Sequence, residues 1–161
     1  MKKKLKFIFA IFFIIFIFSC AGYEPIYKSA SLKFKIEEHE IQGDNKLGNN
    51  FYSKINRTLQ YNENNPESRS INILIDISKD KKATAKNNAR KILEYKITIT
   101  SKIIVYDYLN GNEILNKNFN SSLSYKVQEQ FSETIKIENK SIDDLLSRMH
   151  ENFLVELSQS F

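Results

Sequence analysis

Two runs of alternating apolar and polar residues, separated by Asn110-Gly111, constrain this chain more than any other feature of its sequence. In the first, Tyr95, Ile97, Ile99, Ile103 and Val105 alternate with Lys96, Thr98, Thr100 and Lys102, and in the second Leu115, Phe119, Leu123, Tyr125 and Val127 share one face. A period of two fits a strand, whose successive side chains point to opposite sides, and does not fit a helix. Asn-Gly between such runs is a strong hairpin signal, because both central positions of a two-residue turn need positive φ. A strand over 93–109 and an antiparallel return over 113–127 are therefore expected. Each has one apolar face, so another layer must cover it.

The rest of the chain supplies that layer. Leu32, Phe34 and Ile36 alternate with Lys33, Lys35 and Glu37, which predicts a first strand over 31–37. Gly43-Asp44-Asn45 breaks it, and Leu47, Phe51, Ile55 and Leu59 then recur every four residues, which places them on one face of a helix ending near 62–66. Ile71, Ile73, Ile75 and Ile77 put four β-branched side chains on one face of a second strand. A last helix is predicted from Ser141, with Ser141 as cap, Asp144 three residues on and Asp143 near the positive end of the dipole; Ile142, Leu145, Leu146, Met149, Phe153, Leu154 and Leu157 form its apolar stripe. The order strand, helix, three strands, helix implies an α+β fold. It is a two-layer α/β sandwich with two helices on one face of a four-stranded, mostly antiparallel sheet. The opposite sheet face, with Thr98, Thr100, Ile104, Tyr106 and Tyr108, is expected to be polar and open to a partner.

The first twenty residues belong to a different physical class. All positions from Phe7 to Phe18 are apolar, preceded by Lys2, Lys3, Lys4 and Lys6 and followed by Ser19-Cys20. This is the layout of a cleavable export signal, and the apolar run is shorter than the roughly 20 residues that span a bilayer; an uncleaved anchor is the weaker alternative. Ile17-Phe18-Ser19-Cys20 resembles the lipobox of bacterial lipoproteins, in which the cysteine is lipidated and becomes the new N-terminus. Cys20 is the only cysteine in the chain, so it has no disulfide partner within it. The expected organisation is a signal peptide over 1–19, a lipidated tether over 20–30 and a single domain over 31–161. With Ala21 and no aspartate after the cysteine, the lipoprotein resemblance implies the outer membrane.

Charge narrows the function classes. The formal charge of +5 is concentrated at the extreme N-terminus, and the chain from residue 20 onward is close to neutral. Without a basic excess in the folded part, no nucleic-acid partner is expected. There is no Gly-rich phosphate loop, no nucleophile elbow and no pairing of metal ligands, so no cofactor, no metal and no catalytic residue are assigned. His39, beside Glu37, Glu38 and Glu40 after the first strand, and His150 on the last helix read as solvated side chains.

Cys20 followed by Gly22-Tyr23-Glu24-Pro25-Ile26-Tyr27, then this order of elements, a late hairpin running into Ser124-Tyr125 and an amphipathic C-terminal helix, resembles the LPS-assembly lipoprotein (LptE) family. Ala21, between Cys20 and Gly22, shifts that segment by one residue from the family pattern. The resemblance implies a non-enzymatic, lipid-anchored protein of the outer membrane. Its partner would be a large outer-membrane β-barrel, which it plugs and assists in delivering lipopolysaccharide to the cell surface. A lipoprotein of another envelope assembly machine and an envelope hydrolase are the alternatives. Six basic residues and one acidic residue lie between Lys79 and Lys91. Lys79, Lys81, Lys82, Lys86, Arg90 and Lys91 are thus candidates for binding lipopolysaccharide phosphates from a loop between the second and third strands, with Lys82, Lys86 and Arg90 on one face if the segment is helical. The alternative is a solvated connection or a contact with the barrel wall.

Overall fold

The computed structural model describes residues 34–60 and 68–160, which fall within one compact unit, Ser31–Phe161. The proposed signal peptide, Cys20 and the tether lie outside the described residues. The order is β1 (Phe34–Gly43), α1 (Asn45–Gln60), β2 (Arg69–Lys86), β3 (Ile92–Asp107), β4 (Glu113–Lys126) and α2 (Phe131–Gln159). The strands form one sheet in the order β1-β2-β3-β4; β1 runs parallel to β2 and the other two pairs are antiparallel. Both helices cover the same face, as the α/β sandwich reading expects.

That face is built from odd-numbered positions. Ile71, Ile73, Ile75 and Ile77 of β2, Ile97, Ile99, Ile103 and Val105 of β3, and Leu115, Phe119 and Tyr125 of β4 are all buried with Leu47, Phe51, Ile55 and Leu59 of α1. From α2 come Leu145, Leu146, Met149, Phe153, Leu154 and Leu157. In β1 a bulge at Glu37 changes the phase: Ile36 pairs with Ile71, but His39 and Ile41 pair with Ile73 and Ile75. The extra residue moves the inward set from even to odd numbers. It lets the strand run on to Gly43 where strict alternation ends at Ile36. His39 therefore lies within β1, stacked on Tyr52 of α1 at 3.8 Å between ring centroids, and not after the strand.

Three further boundaries differ from expectation. α2 begins at Phe131, ten residues before Ser141, which is buried in mid-helix and caps nothing. The turn into α2 is closed instead by Thr134, whose hydroxyl accepts a bond from the Gln128 N–H at 2.9 Å. The β3–β4 connection is a longer loop, with Tyr108 in it and off the sheet face: Asp107 N–H donates to the Asn112 carbonyl at 2.8 Å and Gly111 N–H to the Asp107 carbonyl at 2.9 Å. Only Gly111 has positive φ there, at 70°, so the Asn110-Gly111 signal located the hairpin but not its turn type. Asp107, not Asn110, organises this loop, its Oδ1 accepting from the N–H groups of Leu109 and Asn110.

The fourth difference bears on function. β2 does not stop where its apolar alternation stops, at Ile77, but continues to Lys86, paired with the first half of β3 through Ala85 opposite Glu94 and Lys86 opposite Ile92. Residues 79–86 are thus strand, and the segment is not helical. Tyr95, Ile97 and Ile99 of β3 are inward-facing, and the backbone beside them needs a partner; the lysine-rich half of β2 supplies it.

Leu146 is 1% exposed and belongs to the core cluster. Leu146→Ala should lower the unfolding free energy by about 2–5 kcal/mol through lost apolar contact and the cavity left behind, measured by denaturant titration. A change below about 0.5 kcal/mol is a surface-residue effect and would contradict this packing.

Candidate functional site: a basic and apolar groove at the sheet tip

Beyond Ile77 the alternation of β2 divides the basic residues between two faces. Lys79 and Lys81 stand on the helix side and Lys82 on the open side, where its ammonium pairs with Asp80 at 2.9 Å. Lys81 reaches under α2: its Nζ lies 2.6 Å from a carboxylate oxygen of Glu138 and 4.3 Å from the centre of the Tyr95 ring. The Tyr125 hydroxyl donates to the same Glu138 oxygen at 2.9 Å. Burial alone would lower the Lys81 pKa, but the bonds to Glu138 and Tyr125 outweigh it and hold the ammonium above its ordinary range. Burial would likewise raise Glu138, whereas Lys81, Tyr125 and the nearby charge of Lys79 bring its carboxyl below its ordinary value. The cluster pins the N-terminal half of α2 to the overhanging end of the sheet.

Lys86, Arg90 and Lys91 lie at the tip itself and are exposed. Asn87 makes the turn: its side-chain oxygen accepts from the N–H groups of Ala89 at 3.0 Å and Lys91 at 2.9 Å, and its N–H donates to the Lys91 carbonyl. Arg90 has φ 62°, a left-handed conformation that costs an L side chain free energy and that glycine adopts freely. Among the described residues, none of these three cations forms an ion pair with a carboxylate.

Between this tip and the start of α2 lies a groove of about 460 Å³. Ile92, Tyr95, Val127, Phe131 and Ile135 give its walls apolar surface; Arg90, Lys91 and Lys81 line it with positive charge and Glu129 and Glu138 with negative, Glu138 being paired with Lys81. Phe131 is 78% exposed and Ile135 37%, an unusual amount of uncovered apolar surface for the first turns of a helix. The structure thus brings Lys81, Arg90 and Lys91 to one groove, places Lys86 opposite Ile92 at its margin, and leaves Lys79 and Lys82 outside its lining. Phe131 and Ile135 were not read from the sequence, although their spacing of four, continued by Glu138 and Ile142, is a helical signal. With three cations against two carboxylates the groove is net positive, and together with its uncovered aromatic and aliphatic carbon it suits an anionic amphiphile.

The open sheet face carries a second concavity, of about 590 Å³, lined by Glu38, Asn72, Leu74 and Tyr106 among others. Its charged groups are carboxylates: Glu38 accepts from Asn72 and Glu40 from Gln42. It therefore disfavours a phosphate. As for catalysis, the Thr58 hydroxyl and His150 Nε2 lie 3.0 Å apart between the two helices, and burial, with the charge of Lys54, lowers the His150 pKa. Among the described residues no carboxylate bonds either histidine, and no group of three His, Cys, Asp or Glu is placed to hold a metal. No described helix is long and apolar enough to cross a membrane.

No protein-family model and no curated protein matches the sequence. Solved structures do share the fold. A lipoprotein from Caulobacter crescentus CB15 aligns with a TM-score of 0.57 at 11% identity, covering 83% of this chain and 93% of its own. A minor lipoprotein from Acinetobacter baumannii aligns at 0.58 and 12%, covering 80% and 93%. Lipoprotein B from Nitrosomonas europaea aligns at 0.52 and 12%, covering 78% and 84%. At these identities the likeness is one of fold.

The Lys81–Glu138–Tyr125 cluster sets a pH test. Because the Glu138 carboxyl lies below its unfolded value, its contribution is present above the unfolded pKa of about 4.3 and is lost as pH falls through the folded value. Glu138→Gln should destabilise the protein at pH 7 by about 1–3 kcal/mol. The gap between mutant and parent should narrow as pH falls from the unfolded value through the folded one in paired denaturant melts, and a gap independent of pH would contradict the ion pair.

Proposed function

We propose that the chain is a non-enzymatic outer-membrane lipoprotein, anchored through an acylated Cys20, that plugs a large outer-membrane β-barrel and assists it in delivering lipopolysaccharide to the cell surface. The observation that carries this reading is the tip groove. Lipopolysaccharide presents phosphates beside acyl chains, and the groove sets Arg90 and Lys91 beside Phe131, Ile135 and Val127. Lys86, on the ladder opposite Ile92, adds to the local positive potential. The similar folds carry the description lipoprotein, which supports the anchor; the sequence resemblance to the LPS-assembly lipoproteins supports the rest. No bond-making step is needed for this role, since the groove would hold the lipid and pass it on.

The groove's two chemistries separate in solution. Exposed cations act through a screening length of about 8 Å at physiological salt, whereas contacts on Phe131 and Ile135 are not screened. Lipopolysaccharide binding by residues 21–161 should therefore weaken as salt rises, and should fall strongly in the triple variant Lys86→Glu, Arg90→Glu, Lys91→Glu. Phe131→Asp should weaken binding at high salt as well as low. Arg90→Gly should act in opposite directions, stabilising the hairpin by about 0.5–1 kcal/mol by relieving its positive φ while weakening lipid binding. A folded triple variant that binds like its parent would remove the groove from this role. Co-purification of the native protein with one very large barrel in mild detergent, at fixed stoichiometry, tests the partner.

A further inference from the structure

The end of the sheet opposite the basic tip has its own uncovered apolar surface. Leu109 is 87% exposed and Tyr108 48%, both in the β3–β4 loop. From Tyr108 to Asn112 this loop carries no charged side chain. It is also held in shape. Asp107 accepts from Arg69 Nε at 2.6 Å and from the N–H groups of Leu109 at 3.0 Å and Asn110 at 3.1 Å, and Tyr108 N–H donates to the Ser70 carbonyl at 3.1 Å. An apolar side chain presented by so many bonds loses little conformational freedom on docking.

Its position in the topology says what it faces. β1 enters the sheet at Phe34, opposite Arg69, and Arg69 is bonded to Asp107 at the base of the loop. The chain from Cys20 therefore joins the domain at the same end as Leu109, and residues 20–33 span at most about 50 Å. The turn at Asn87–Lys91 is at the other end of β2, an 18-residue strand that extends over about 50–60 Å. A tether of that length holds the loop at high effective concentration near the membrane surface, so even a weak apolar contact is populated. Tyrosine, with an apolar ring and a polar tip, suits the layer between headgroups and acyl chains.

We infer that Tyr108 and Leu109 form a membrane-interface foot. They insert into the lipid layer that anchors the chain and stand the sheet with its basic groove directed away from that surface. The inference rests on the Cys20 anchor of the proposed function. Its occupant is the lipid bilayer, and the uncharged loop makes the contact insensitive to salt.

The chain has no tryptophan, so Leu109→Trp and Asn88→Trp each introduce a single indole, one at each end of the sheet. The full lipidated protein is reconstituted into phosphatidylethanolamine and phosphatidylglycerol vesicles with acyl chains brominated near the headgroup, and acylation of Cys20 is read by mass spectrometry. The Leu109→Trp emission should shift to the blue and be quenched at least about twofold more than that of Asn88→Trp, at low and high salt alike, because interfacial aromatic rings sit in that layer. Quenching at position 109 no greater than at position 88, in variants with unchanged circular dichroism, overturns the foot. An unacylated Cys20 overturns the anchor separately; the same two indoles, with the protein added to vesicles, then decide the foot by the same criterion.

Discussion

Everything in this molecule depends on covering one apolar sheet face. Four strands place their isoleucines, leucines and aromatic rings on a single side, and at about 25 cal/mol per Å² of buried apolar surface that face cannot be left in water. Two helices cover it unequally. α1 starts beside Ile77, where the Asp44 N–H donates to the Ile77 carbonyl and the Asp44 carboxylate caps the helix by accepting from the Leu47 N–H, so it lies over the half of the sheet nearer β1. α2, with 29 residues and a length of about 43 Å, lies over the half nearer β4, with the Lys81–Glu138 pair towards one end and the Lys117–Glu156 pair towards the other. The overhang of β2 and β3 beyond α1 is therefore covered by the first turns of α2 alone. That partial cover leaves the tip groove.

Side chains that bury apolar surface at a regular period were legible in the sequence, and those held by polar geometry were not. Ile71 to Ile77, the run from Tyr95 to Val105, and Leu47, Phe51, Ile55 and Leu59 signal their elements because burial imposes the period directly. The bulge at Glu37 hides the second half of β1, since one inserted residue reverses the phase. The lysine half of β2 carries no apolar alternation; its strand state is imposed by the backbone of β3, a long-range requirement that local pattern does not record. Ser141, a good cap in isolation, is overridden because the helix it would start already continues from Phe131. In the candidate site, the cations Lys81, Arg90 and Lys91 were legible from local charge, but Phe131 and Ile135 were missed with the start of α2.

The two ends of the sheet differ in chemistry as well as in cover. At one, Asp107 and Arg69 fix an uncharged loop with Leu109 in solvent; at the other, Asn87 fixes a turn that holds Arg90 in a strained conformation. Local strain at a charged, exposed residue is a common mark of a functional position, because stability alone would favour glycine there. In the proposed role the first end keeps the domain at its membrane and the second handles the lipid cargo about 50–60 Å away.

The central claim is that lipopolysaccharide occupies the groove beside Phe131. The most direct measurement replaces Phe131 with a benzophenone-bearing amino acid in the native envelope and irradiates it. The account predicts a light-dependent adduct that contains lipopolysaccharide and weakens when Lys86, Arg90 and Lys91 are all Glu. A protein that accumulates and folds normally but yields no lipopolysaccharide adduct from position 131 would contradict it.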